Sequence, residues 1–139
     1  FTDRNLERVG YIDNPCNDES FTDRYRVYSI PISRLTKEAL KDSGLSSREV
    51  ERCKNFFTLG VMLWMFNRPT ESTKNWIDEK FAKSPQLASA NHLALTAGMT
   101  YAEATEIFEV IFEVQPAQHK PGTYRNLNGT VGASLGLVA

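Results

Sequence analysis

Residues 53–69 read C-K-N-F-F-T-L-G-V-M-L-W-M-F-N-R-P, and within them residues 56–66 carry no charge and one polar side chain, Thr58. At helical spacing Val50, Cys53, Phe57, Val61 and Trp64 share one face, while Phe56, Leu59, Leu63 and Phe66 share the opposite one. A helix apolar all round is expected to be buried all round. Ahead of it, Ser46-x-x-Glu49 has the pattern of a capping box, in which the serine takes an orphan backbone N–H and the glutamate reaches back to the cap. Pro69 ends the run. At about 1.5 Å per residue the apolar stretch covers roughly half of a 30 Å hydrocarbon layer, so it reads as a core helix, not a membrane span. Gly60 in its middle costs roughly 1 kcal/mol against alanine, which close passage of another backbone would offset.

Lys54 and Asn55 are the polar pair at the mouth of this helix. Two readings stand for them: Lys54 snorkels to solvent and Asn55 bonds nearby backbone, or the pair reaches a loop, a partner chain or an anion.

The 139 residues suit one modest domain, with an apolar fraction of 41% and a net charge of −1. Basic and acidic residues, 16 and 17, are interspersed without a polybasic run, which argues against nucleic acid and anionic membranes as partners. No signal peptide or targeting tail is apparent, and a cytoplasmic location is expected. Because Phe1 already belongs to a motif, the chain is expected to be cut from something longer. Cys16 and Cys53 lie far apart and form no C-x-x-C, so no iron–sulfur or structural zinc site is expected from this chain alone.

Working outward, residues 1–11 read as a short helical turn capped by Thr2 or Asp3 and closed by Gly10, followed by an acidic loop over residues 13–23. F-T-D-R occurs at residues 1–4 and again at 21–24, without the flanking similarity a repeat would need. Alternation and β-branched content predict a strand over residues 25–32. Ser33 is expected to cap a helix through Leu40, with Gly44 as its left-handed stop. Beyond the central helix, Thr70 heads a helix to about Lys83 that lays Trp76, Ile77 and Phe81 on the core. Ser84-Pro85 starts another, faced by Leu87, Ala90, Ala94 and Ala97 and stopped by Gly98. His92 within it reads as a surface or locally bonded residue, without a metal-ligand partner at suitable spacing. Thr100-x-x-Glu103 reads as a second capping box opening a short helix. Residues 108–114 have the period of a strand, Pro116 breaks them, and residues 115–123 form a linker with two prolines and a glycine. Residues 124–127 look like a new strand, and Asn128-Gly129-Thr130 a turn into a small-residue helix over residues 131–139.

No dinucleotide glycine loop, phosphate loop, zinc-protease motif or nucleophile elbow is present. Gly129-x-x-Gly132, near Ser134 and Gly136, has the wrong spacing for these and reads as tight helix packing.

Several segments nevertheless carry a resemblance: F-T-D-R-N-L-E-R-V-G-Y, S-R-L-T-K-E-A-L, E-V-E-R-C-K-N-F-F-T-L-G with the following tryptophan and N-R-P, N-W-I-D-E-K-F, A-N-x-x-A-L-x-A-G, and Y-R-N-L-N-G with L-G-L-V-A. In that order they resemble the α subunit of bacterial 2-oxoglutarate:ferredoxin oxidoreductases over nearly the whole chain. The resemblance implies an α/β architecture: residues 1–115 the later, helix-rich part of a Rossmann-like γ domain with a central buried helix, residues 116–123 a linker, and residues 124–139 the first strand and helix of a thiamine-pyrimidine domain. It implies an enzyme that decarboxylates a 2-oxoacid on thiamine diphosphate with magnesium, passes electrons through an iron–sulfur cluster to ferredoxin, and gives the acyl group to coenzyme A. The thiamine and cluster motifs belong to the family's β subunit, the Gly-rich loop of the γ domain falls before Phe1, and the Y-P-I-T-P substrate segment falls after Ala139. Catalytic residues, metal ligands and a resident cofactor are therefore expected outside this chain, which serves as scaffold and subunit interface. Lys54 and Asn55 are its candidate share in coenzyme A binding. Where the family more often has G-N-x-A, this chain has Gly129-Thr130-Val131-Gly132, so the resemblance does not carry a substrate-side role over to Thr130.

A reading of another class is a non-enzymatic interaction module that docks a partner on apolar surface around Trp64 or Trp76. A dinucleotide-binding half-domain is weaker still, since no predicted strand runs into the required glycine turn.

Overall fold

The computed structural model describes residues 3–115 and 117–138. Its elements in order are α1 (Asp3–Val9), a 3₁₀ turn (Pro15–Asn17), α2 (Glu19–Thr22), α3 (Ile32–Ala39), α4 (Ser47–Met65), α5 (Glu71–Lys80), α6 (Pro85–Thr105) and α7 (Gly129–Val138). The expected cap at Thr2, break at Pro116 and end at Ala139 lie outside the described residues.

The two long helices organise the rest, with α3 packed on α4 and α5 packed on α6. Helix α4 starts as its sequence prescribes: Glu49 N donates to Ser46 Oγ at 3.4 Å and Ser46 N to Glu49 Oε2 at 2.9 Å, closing the capping box. Its inner face buries Val50, Cys53, Phe57 and Val61 against Leu40, which closes α3, and Ala90, Ala94 and Ala102 of α6. A second cluster joins Ile77 of α5 to Ala88 and Leu95 of α6, and Phe56 packs against both.

The close backbone passage expected at Gly60 is present. A Cβ there would collide with the Leu95 carbonyl oxygen and stand 3.0 Å from Met99 N. Gly98 answers from the other helix, where a Cβ would meet the Phe57 carbonyl, 2.8 Å from its carbon. The reciprocal positions let α4 and α6 touch backbone to backbone. This overturns Gly98 as a helix stop: α6 runs through it to Thr105, and Thr100 and Glu103 lie inside the helix instead of opening another. Glycine ends helices where a left-handed residue is needed, whereas here it removes a side chain from a crossing. The α6 end falls at Glu106, which takes the left-handed conformation at φ 46°.

The expected all-round burial of α4 fails along one stripe, while Phe56, Leu63 and Phe66 of the second apolar face are partly buried. Leu59 and Met62 are 36% and 40% exposed, in line with exposed Asn55 and Thr58, because α3 and α6 both approach the opposite flank.

No strand occurs among the described residues, which corrects all three strand expectations. Residues 25–31 and 107–115 are without regular structure and meet beside the C-terminal end of α4. There Tyr28 packs edge-on to Phe108 (4.9 Å), Phe108 stacks on Trp64 (6.2 Å), and Phe112 lies 5.6 Å from Phe66. Phe112 N donates to Met65 O at 2.8 Å and Arg68 Nη1 to Val114 O at 3.3 Å. The period of two does not correspond to a buried face, since Val110, Phe112 and Val114 are about as exposed as Ile111; a strand also needs a neighbour for its backbone groups, and none is supplied among the described residues. Residues 124–127 are likewise unpaired and exposed.

Smaller corrections have local causes. Pro31, not Ser33, occupies the cap position of α3, and Ser33 turns its hydroxyl to Glu51 instead. Gly44 is left-handed at φ +69° but lies beyond the helix, which closes on Leu40. Thr70 and Ser84 stand at the expected cap positions without a side-chain capping bond. Gly10, at φ +80°, does close α1. Asn128 Oδ1 accepts from Val131 N at 2.9 Å and starts α7 as the turn predicts. Among the described residues no helix is long and apolar enough to cross a membrane.

Candidate functional site

Lys54 and Asn55 lie in the third turn of α4, facing a groove that this helix forms with α3. Lys54 Nζ donates to Glu51 Oε1 at 2.6 Å, and Ser33 Oγ of α3 donates to the same oxygen at 3.0 Å. One carboxylate thus orients the lysine and ties the two helices together. Asn55 is exposed beside it. Thr58 Oγ1 donates to Lys54 O at 3.0 Å, so the hydroxyl at the next turn is used within the helix.

The groove gathers charge. Arg34 and Lys37 project from α3, and Arg48 and Arg52 from α4, around Lys54 and Glu51. Spacings of three on α3 and four on α4 put each pair on one helical face. That signal was available in the sequence, but nothing local indicated that the two faces would adjoin.

The hydrogen bond from Lys54, then that from Ser33, holds the Glu51 carboxyl below the usual carboxylate range; the nearby charges of Lys54 and Lys37 add to this and partial desolvation opposes it. A lowered folded-state value means that the α3–α4 tie contributes above the ordinary carboxylate range and is lost as pH falls through the lowered value. Lys54→Met is therefore expected to move the Glu51 titration midpoint upward. Carboxyl-carbon chemical shifts followed against pH give the measurement, and an unmoved midpoint would show that Lys54 is not the main cause.

A second groove runs between α5 and α6, where Asp78, Ser89 and His92 share a wall with Phe81 and Leu93. His92 Nε2 lies 2.7 Å from Asp78 Oδ1, so the local bonding expected of His92 is made by a carboxylate from the neighbouring helix. Trp76 on α5 is 50% exposed and Trp64 is half-buried under Phe108. Of Trp76, Ile77 and Phe81, all expected on the core, Ile77 is fully buried, Phe81 is partly buried against the second cluster, and Trp76 is half-exposed.

Cys16 and Cys53 are free thiols; burial, with a smaller contribution from the charge of Glu49, pushes the Cys53 thiol up. Among the described residues no group of three or more His, Cys, Asp or Glu side chains could hold a metal ion. Gly129, Gly132 and Gly136 of α7 have nothing within 4 Å of an added Cβ, so the tight packing expected of them is not made among the described residues.

Residues 5–101 match the family described as pyruvate ferredoxin/flavodoxin oxidoreductase. Over 138 residues, 99% of the chain, the sequence is 41% identical to the 2-oxoglutarate oxidoreductase subunit KorA of Mycobacterium tuberculosis (strain ATCC 25618 / H37Rv). The match covers 21% of that protein, so the chain spans about a fifth of the length of this curated relative. No solved structure matches.

Proposed function

Because this chain belongs to the pyruvate ferredoxin/flavodoxin oxidoreductase family, we propose that it forms part of a 2-oxoacid:ferredoxin oxidoreductase acting on 2-oxoglutarate. The observation that carries this reading is the 41% identity to a 2-oxoglutarate oxidoreductase subunit along 99% of the chain.

In this proposal residues 1–115 are the helical later part of a Rossmann-like γ domain, residues 116–123 a linker and residues 124–139 the start of a pyrimidine-binding domain. The irregular stretch between α6 and α7 supports that division. Thiamine diphosphate with magnesium and the iron–sulfur cluster belong to the assembled enzyme, on a β subunit, with ferredoxin as acceptor, coenzyme A as co-substrate and the cytoplasm as location. The residues present here do not fit a cluster, which takes several thiolates: there are two cysteines, and Cys53 is fully buried.

This piece is scaffold and subunit interface, with a share in coenzyme A binding through Lys54 and Asn55. The rigid α4 turn supports that share, since it presents an ammonium beside an amide at an open groove; an anionic ligand would compete with Glu51 for the lysine. The test is an assay of the intact subunit with its β partner, following 2-oxoglutarate- and coenzyme A-dependent reduction of a viologen dye. Reduction is expected in the wild type; its absence overturns the enzymatic reading. Lys54→Ala is expected to raise the KM for coenzyme A and leave that for the 2-oxoacid unchanged. Unchanged coenzyme A kinetics with a lowered melting temperature would instead make Lys54 a structural residue.

A further inference from the structure

We propose that the α3–α4 face is a docking surface for a carboxylate-rich segment of another protein chain. The proposal deepens the subunit-interface reading above and rests on it for the partner being a protein.

The charge on this face is one-sided. Arg34, Lys37, Arg48, Arg52 and Lys54 line it against a single carboxylate, Glu51, although the chain as a whole has a net charge of −1. The nearby carboxylates are already engaged: Glu51 holds Lys54 at 2.6 Å, Glu38 holds Lys41 at 3.2 Å, and Glu49 is folded back on Ser46 in the capping box. Among the described residues, Arg34, Lys37, Arg48 and Arg52 have no carboxylate within ion-pair distance. All four are exposed. Their backbones cannot drift apart to relieve the repulsion, because α3 and α4 are joined through buried Leu40 and Val50 and through the Ser33–Glu51 bond. Fixed like charges of this kind raise the local potential and favour an opposing, negatively charged surface.

The form of the groove selects the class of partner. Outside the Lys54–Asn55 pair, Arg34, Lys37, Arg48 and Arg52 stand on an exposed face that would not enclose a small ligand over most of its surface. No aromatic ring lines the groove to stack a base, and the whole chain is not basic. Three guanidinium groups, each able to take a carboxylate with two parallel hydrogen bonds, suit a row of Asp or Glu side chains.

The test is fluorescence anisotropy of a labelled sixteen-residue polyglutamate peptide titrated with the 139-residue chain at low salt. Saturable binding is expected, abolished by about 0.5 M sodium chloride, where screening acts over a few ångströms. Arg48→Glu/Arg52→Glu should weaken it by about tenfold or more, whereas Lys74→Glu/Lys83→Glu, the same charge change on and just beyond α5, should alter it by less than about twofold. Matching circular dichroism spectra establish that both variants are folded. Equal weakening by the two variants or absence of peptide binding would each overturn the proposal. The titration needs no enzyme activity, so its failure is distinguishable from failure of the oxidoreductase reading.

Discussion

Gly60→Leu is expected to force α4 and α6 apart and to destabilise the chain by about 3 kcal/mol, the upper end of ordinary overpacking effects. The reason is the identity of the obstructing atoms. A side chain at residue 60 meets the Leu95 carbonyl and Met99 N, and backbone inside a helix cannot rotate aside as a flexible side-chain end can. Gly98→Leu should act alike from the other helix, because its Cβ meets the backbone of Phe57. Gly132→Ala, with nothing within 4 Å of the new methyl, is the control and should not destabilise the chain, alanine being the better helix former by up to about 1 kcal/mol. Chemical denaturation followed by circular dichroism measures all three. A midpoint for Gly60→Leu equal to wild type would rule out a backbone-level crossing.

Phe57→Ala is expected to cost about 4 kcal/mol, since truncating a fully buried phenylalanine loses its transfer energy and leaves a cavity. Phe57 is 1% exposed, packs among Cys53, Val61 and Ala94, and lies 6.0 Å from the Tyr101 ring. Its carbonyl is also what Gly98 accommodates, so the crossing limits how far the helices can close to fill the void. Leu59→Ala, on the 36% exposed side of the same helix, should cost less than half as much. Similar losses for the two variants in urea would mean that α4 is buried evenly after all.

The sequence by itself determined the longer helices and where α4, α6 and α7 start, because those signals act within a turn or two; it read residues 13–23 as a loop, where the 3₁₀ turn and α2 form. Ser46 and Glu49 start α4, Pro85 starts α6, Asn128 starts α7, and the segment from Ser47 needs no distant contact to be recognised as helical. It also carried the family resemblance, which depends on residue order and not on packing. Gly60 was legible as a place needing a backbone neighbour, but the identity of that neighbour was not. Only the tertiary structure decided that Gly98 lies within a continuous helix and clears Phe57, since the same residue type that ends helices also permits their closest approach. It likewise decided against strands at residues 25–31 and 107–115: a period of two is silent on whether a partner strand is present, and these segments instead meet the end of α4 through Tyr28, Phe108 and Phe112. The charge on the α3–α4 face was invisible for a related reason. Along the chain the cations are interspersed with acids, and folding engages Glu38, Glu49 and Glu51 in a cap and two local ion pairs, leaving four cations on one surface. Charge order in sequence is one-dimensional, whereas electrostatic potential follows distances in space, and those are set when the helices pack.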